Sequence, residues 1–246
     1  MTFAISVVMP VKGDGRFLEE ALRSITGQSM EILELLVVDD GMTPAAIAIL
    51  ERCAGWFKNL HILEGPGTGP AAARNIALKA AKGDVIAFLD DDDLWPAEKL
   101  AAQCDVLQRA PELQAVGGRI HWFSQWDDNG QPIQGPDDLN ILFVNLGAFL
   151  YRSSVFEKLG LLDSSLFYSE DVDLMLRMTD SDTPFALLDR ITLSYRRHPG
   201  TMTHARTGRE KADFTRVLMA SMRRCRADGK FRPRRPMEDY LWTGKP

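Results

Sequence analysis

Short apolar runs alternate with amphipathic stretches over the first 110 residues of the chain. Residues 5–10 (Ile-Ser-Val-Val-Met-Pro), 35–38 and 85–89 are nearly continuous apolar runs of strand length, and residues 60–63 form a weaker one. Continuous runs, rather than strict alternation, predict parallel strands covered on both faces. Helical spacing fills the gaps. Phe17, Leu18, Ala21, Leu22 and Ile25 share one face, as do Ile47, Leu50, Cys53, Ala54 and Phe57. Ala72, Ala73, Ile76, Ala77 and Ala80 make a third face behind Pro70, a residue suited to a helix start. Leu100, Cys104 and Leu107 make a fourth behind Pro96. Strands alternating with helices predict βαβ units in an open, mostly parallel sheet, where ligands bind beyond the carboxyl ends of the strands.

After residue 110 the pattern changes. Residues 115–123 and 143–151 read as strands, separated by a polar, turn-rich stretch (127–138) that predicts a mobile loop. Helical segments are expected at 153–159 and 170–178, and further strands at 185–188 and 192–196. Phe214, Val217, Leu218, Ser221, Met222 and Cys225 stripe one side of a last helix, which predicts its packing face. With no internal repeat or low-complexity linker, one continuous α/β domain is expected. Residues 232–236, Arg-Pro-Arg-Arg-Pro, are expected to be loosely ordered.

Composition narrows this picture. The 246 residues are 45% hydrophobic, enough for a continuous core, and no run of about 18 apolar residues could span a membrane. The N-terminus lacks a basic stretch and a cleavage site, so no signal peptide is expected. Three widely spaced cysteines, Cys53, Cys104 and Cys225, suit a reducing, cytoplasmic setting. The formal charge is −5, but residues 190–235 hold fourteen Lys and Arg against Glu210, Asp213 and Asp228. That leaves +11 there and −16 elsewhere. A basic C-terminal section is either a solvated helix and tail or a contact with phosphates or the anionic inner face of a membrane. No nucleic-acid partner is expected, and oligomeric state is left open.

The acidic clusters stand where the predicted sheet would bind a ligand. Asp90, Asp91, Asp92 and Asp93 follow the strand at 85–89, and like charges so packed call for a cation. Hard oxygen donors select Mn²⁺ or Mg²⁺, which bind one or two carboxylates together with substrate phosphates. A calcium loop is disfavoured, because no glycine or glutamate stands at the required offsets. Asp39 and Asp40 end a neighbouring strand, either as a turn or as acceptors for a nucleobase or ribose. Residues 65–70, Gly-Pro-Gly-Thr-Gly-Pro, lead into the helix that carries Arg74 and Asn75, either as a plain turn or as an anion site. Glu170 and Asp171 open a helix behind Ser169, an expected N-cap; helix-dipole preference alone accounts for acids there. Asp173 and Arg177 are expected to form an exposed i, i+4 pair. His198 reads as a surface histidine, a phosphate contact or a metal ligand.

In order, these segments resemble glycosyltransferase family 2, whose fold is GT-A, a Rossmann-like, mostly parallel sheet flanked by helices. The resemblance rests on Ser6-Val7-Val8-Met9-Pro10, residues 22–29, Val37-Val38-Asp39-Asp40-Gly41, residues 69–75, Phe88-Leu89 with the four aspartates, Ser169-Glu170-Asp171 and residues 195–200. It implies a single domain over 1–205, with a nucleotide-sugar half (1–110) and an acceptor half (111–205), followed by a basic helix and tail (206–246). Pro10 and Asp39 would line the base pocket, with Asp40, Arg74, Asp90 and Asp91 on the donor. Asp90, Asp92, Asp93 and His198 would serve the metal, and Asp171 would be the general base of an inverting transfer. The resemblance also implies a nucleotide-sugar donor, a UDP-sugar by default, and a glycan or glycolipid acceptor. Val11-Lys12 stand where the family often has Tyr-Asn, and Met42 where serine is usual. No Gln-x-x-Arg-Trp motif is present, which argues against a processive synthase. Two other readings remain: an aspartyl phosphotransferase or phosphohydrolase, and a silent nucleotide-sugar-binding module. The former normally carries D-x-D after its first strand.

Overall fold

The computed structural model describes residues 3–135, 137–201, 208–229 and 234–244. Its first half follows the alternation in the sequence. Strand β1 (Ile5–Gly13) leads to α1 (Leu18–Thr26), β2 (Glu34–Met42) to α2 (Pro44–Cys53), β3 (Leu60–Glu64) to α3 (Pro70–Ala80), and β4 (Val85–Phe88) to α4 (Lys99–Arg109). These four strands are parallel in the order β3-β2-β1-β4. Ile5, Val7, Val8 and Met9 are wholly buried, as expected for a strand with helices on both faces.

The second half extends the same sheet. Strand β5 (Ala115–Phe123) is followed by β6 (Leu139–Ile141), β7 (Leu150–Arg152), α5 (Ser154–Leu159), α6 (Glu170–Asp180) and β8 (Phe185–Arg196). Antiparallel β7 joins β4 to β5, while β6 and β8 also pair with β5, giving eight strands in one sheet. Helix α7 (Arg209–Ala227) packs on α6.

Several expectations are corrected. The buried face of α2 is Ala46, Leu50 and Cys53, and Ile47 is exposed. In α3 the buried face turns to Ala71, Ala73, Arg74 and Ala77, because Arg74 reaches the carboxylates of buried Glu170 and half-buried Asp90, and Ala80 lies outside. No strand forms over 143–149. The Asn145 side chain accepts from the Gly147 amide at 2.7 Å and starts a 3-10 turn at Leu146–Ala148, leaving only β7 extended. The two strands expected at 185–188 and 192–196 are one strand, with an irregular register opposite Gly118 and Arg119. The stretch expected as a mobile loop contains a turn, in which Asp127 Oδ1 accepts from the amides of Asn129 and Gln131. Of the tail at 232–236, Arg232 and Pro233 lie outside the described residues. Arg234 ion-pairs with Asp180 at 3.0 Å.

Lys99 is an unexpected core residue. It is fully buried, its Nζ donates to Gln103 Oε1 (2.8 Å) and the Phe149 carbonyl (3.3 Å), and it lies 4.6 Å from the Trp95 ring centroid. Desolvation pulls its pKa down to about 7. Between that value and the usual lysine range, the unfolded chain binds the extra proton, so stability should rise with pH through that window. Comparing wild type with Lys99→Met by chemical denaturation from pH 7 to 10 should isolate this rise, at up to about 1.4 kcal/mol per pH unit in wild type only. Equal slopes would place a charged lysine in the core.

Candidate functional site

The strand ends that carry the acidic residues converge. Parallel registry sets Val11 opposite Asp39, Asp39 opposite Glu64, and Val8 opposite Phe88. Asp39, the glycine-rich loop and the four aspartates therefore leave the same carboxyl edge of the sheet, and Pro10 is buried at that edge of β1.

The loop is held by β2. Asp39 Oδ1 accepts from the amides of Gly41 (2.9 Å) and Met42 (2.7 Å), and its carbonyl accepts from Gly65 N at 2.8 Å. A Cβ on Gly65 would stand 2.5 Å from that carbonyl, so this approach needs glycine. Buried Asp40 accepts from Gly67 N at 2.7 Å. Its carboxylate is thus occupied in shaping the loop. Gly69 then takes φ +124° before Pro70 opens α3, a conformation that suits glycine.

Arg74, one turn into α3, is buried and bridges two carboxylates. Its Nη1 donates to Glu170 Oε1 at 2.6 Å, and its Nη2 donates to Asp90 Oδ1. Those two anions hold the guanidinium charged against the cost of burial. Burial is the largest influence on Glu170 and pushes its carboxyl up, with Arg74 drawing it back. The bridge ties the four-aspartate turn to the start of α6. Asn75 adds a second tie, its side chain both donating to and accepting from the backbone of Leu162.

The four aspartates have different surroundings. Asp93 is 1% exposed, and its Oδ1 accepts from Arg196 N at 2.9 Å. It therefore anchors β8 from the end of the acidic turn. Asp91 is half-buried, and desolvation followed by the charges of Asp92 and Asp90 drives its carboxyl well above the usual range. Asp92 Oδ2 lies 3.1 Å from His198 Nε2, which gives one carboxylate and one imidazole side by side at the mouth. Beneath them Arg196, fully buried, donates to the carbonyls of Asp92 and Gly130. Its guanidinium lies 4.2, 5.1 and 4.9 Å from the ring centroids of Phe17, Phe123 and Trp126. Among the described residues no three His, Cys, Asp or Glu side chains form a metal cage. An Asp–His pair with open positions fits a divalent cation that takes its other ligands from phosphates and water.

Asp171 stands on the first turn of α6, next to Glu170 and within the field of Arg74. Its Oδ1 accepts from Val172 N at 2.7 Å. Burial first, then the charge of Glu170, raises its pKa to about 7. Ser169 precedes it at φ +67°, a left-handed conformation uncommon for serine, and makes no side-chain cap. The expected Ser169 cap is therefore corrected: the chain turns sharply there and presents Glu170 to Arg74. Asp173 is buried and Arg177 partly buried, with Nε to Oδ2 at 2.8 Å, where an exposed pair was expected. Glu170 and Arg196 were not foreseen as site residues. Their adjacency to Asp171 and His198 within the quoted motifs was the available signal.

An open, Rossmann-like α/β sheet thus gathers an acidic turn, a glycine-rich loop and a carboxylate with raised pKa at the carboxyl side of its parallel strands. The profile of glycosyl transferase family 2 matches residues 6–162, and the chain belongs to that family. Over 131 residues it is 33% identical to the putative teichuronic acid biosynthesis glycosyltransferase TuaG of Bacillus subtilis, covering 52% of this chain and 50% of that protein. Over 100 residues it is 37% identical to a poly(ribitol-phosphate) beta-glucosyltransferase of Bacillus spizizenii, covering 39% and 16%. The chain thus spans half or less of these curated relatives. Among solved structures, S. aureus TarS 1-349 in complex with UDP-GlcNAc superposes with TM-score 0.69 at 20% identity, covering 90% of this chain and 66% of TarS. The mannosyltransferase PcManGT of Pyrobaculum calidifontis, in complex with GDP-Man and Mn²⁺, gives 0.67 at 19%, covering 98% and 68%. The fold is therefore GT-A. No described helix is long and apolar enough to cross a membrane.

Proposed function

We propose that this chain is a metal-dependent inverting glycosyltransferase that moves one sugar from a nucleotide-sugar, a UDP-sugar by default, to a hydroxyl of a glycan or glycolipid. The observation that carries this reading is the Asp90–Arg74–Glu170 bridge. It joins the acidic turn to the helix bearing Asp171, which supports reading the two as donor and base sites of one unit. The neighbours solved with UDP-GlcNAc and with GDP-Man and Mn²⁺ support a nucleotide-sugar donor.

Asp39 would read the base or ribose through Oδ2, its Oδ1 being held by Gly41 and Met42, and Pro10 would wall the base pocket. The α3 N-terminus would favour the diphosphate through its dipole. Asp92 and His198 would hold Mn²⁺ or Mg²⁺, with Asp90 beside them. Such an ion supplies charge neutralisation for the departing diphosphate. Asp171 would take the proton as the acceptor oxygen bonds to the anomeric carbon and the bond from that carbon to the diphosphate oxygen breaks. The nucleoside diphosphate leaves, and the configuration inverts.

Thermal denaturation with UDP or GDP, with and without Mn²⁺ or Mg²⁺, tests donor binding. At about 100 times Kd, a ligand stabilises by about 2.7 kcal/mol, or about 5–10 °C for a chain of this size. The metal-dependent part of that shift should vanish in Asp92→Asn. A screen in which no nucleoside diphosphate gave a metal-dependent shift would end the proposal.

A further inference from the structure

Helix α7 is packed with its polar side inward. Its buried positions are Asp213, Val217 and Ser221, and of these only Val217 is apolar, meeting Leu166 and Leu176. The contact with α6 is otherwise polar. Ser221 donates to Asp180, and Arg224 ion-pairs with Asp180 at 2.8 Å. The apolar residues of the helix face outward: Phe214 is 44% exposed, Leu218 37%, Met219 51% and Met222 56%. Of the six residues in the sequence stripe, Val217 and Ser221 are buried, whereas Phe214, Leu218 and Met222 are exposed. Exposed Lys211, Arg223 and Arg226 flank these outward residues.

We infer that the outward face of α7 is a contact surface for an anionic lipid bilayer. A helix with large apolar side chains between cations is built to lie in an interface, with the apolar groups entering the headgroup boundary and the cations meeting lipid phosphates. A soluble polyanion would engage the cations and leave Phe214, Leu218 and Met222 in water, so the exposed apolar row selects a bilayer. Nineteen residues extend about 28 Å, which gives the face length enough for several headgroups. The inner side of the same helix holds the loop that leads into α6. Asp213 Oδ2 accepts from the amides of Phe167 (3.0 Å) and Tyr168 (3.1 Å), just before Ser169 and Asp171. A bilayer bound on α7 would therefore lie one helix thickness from the loop that leads to the base, a position suited to a lipid-linked acceptor.

Vesicle co-sedimentation of the full chain tests the inference without reference to activity. Phosphatidylcholine vesicles with and without about 30% phosphatidylglycerol serve as probes, in 0.05 M and 0.5 M salt. Three surface cations, at about a factor of five each, predict roughly 10²-fold preference for anionic vesicles at low salt, collapsing at high salt. Arg223→Glu with Arg226→Glu should abolish that preference. Phe214→Ser with Leu218→Ser and Met222→Ser should weaken binding at least tenfold, with circular dichroism and melting temperature unchanged, since these side chains are exposed. Equal binding to neutral and anionic vesicles would overturn the inference. So would binding that survives the serine variant, or a concentration-dependent dimer that this variant dissolves, which would assign the face to a second copy of the chain.

Discussion

Asp171→Asn should lower kcat by about 10²–10⁴-fold while leaving metal-dependent binding of the donor nucleotide in place. Asparagine keeps the shape of the side chain and an oxygen to accept from Val172 N, so α6 should start as before. It removes only the carboxylate proposed to take the proton. The pH profile provides an independent check. Burial and Glu170 raise Asp171 to about 7, so the wild-type rate should fall on the acidic side of about that pH, where the base is protonated. Stability should move the opposite way from activity. A carboxyl whose folded pKa is raised contributes stability at low pH that is lost as pH rises through the folded value. The asparagine variant escapes that loss and should be more stable than wild type above pH 7, by about 1–3 kcal/mol. Normal turnover in the variant would remove Asp171 as the base. A variant destabilised at pH 8 would make the residue structural.

Arg74→Ala is the second large effect. It strips the shared cation from Asp90 and Glu170, the latter with a side chain only 11% exposed. Removing one member of a buried ion network costs about 3–5 kcal/mol, and the exposure of Asp90 (34%) puts this case at about 3. For a chain of this length that is a melting temperature on the order of 10 °C lower. The loss should be greater at pH 8 than at pH 5, because protonating Glu170 removes the uncompensated charge. Arg74→Lys should restore little, since one ammonium cannot reproduce two separate guanidinium arms. Arg74 also holds Asp171 down electrostatically, so any residual activity should show its acidic limit shifted to higher pH. A melting curve that Arg74→Ala leaves unchanged would show that the bridge contributes nothing to holding α6.

The structure explains which of these residues were legible beforehand. Asp90 and Asp92 stand out because an apolar strand ending in four carboxylates is locally unfavourable without a cation. Asp171 did not stand out on its own, since acids in a first helical turn satisfy the helix dipole. Its setting depends on Arg74, whose bond to Glu170 crosses 96 positions, and on the left-handed turn at Ser169. Likewise His198 becomes a candidate ligand only through Asp92, 106 positions away. The cage around Arg196 draws rings from Phe17 and, more than 100 positions later, from Phe123 and Trp126. No periodicity reports such meetings.

What the sequence determined by itself was the part governed by local chemistry: the alternation of β1 to α4, the parallel sheet and the placement of acids at strand ends. Apolar period and turn residues act over a few positions, so they are readable where they stand. The four aspartates themselves were plain in the sequence, but not their division of labour. Tertiary structure turned Asp93 inward to anchor β8, set Asp92 beside His198 and joined Asp90 to Arg74. It also decided which side of α7 faces water. A helical stripe marks one apolar face without saying what lies opposite it, and here Asp180 offered buried charge that Ser221 and Arg224 could satisfy. Satisfying that carboxylate outweighed burying Phe214, Leu218 and Met222, because a buried charge without partners costs more than an exposed apolar side chain.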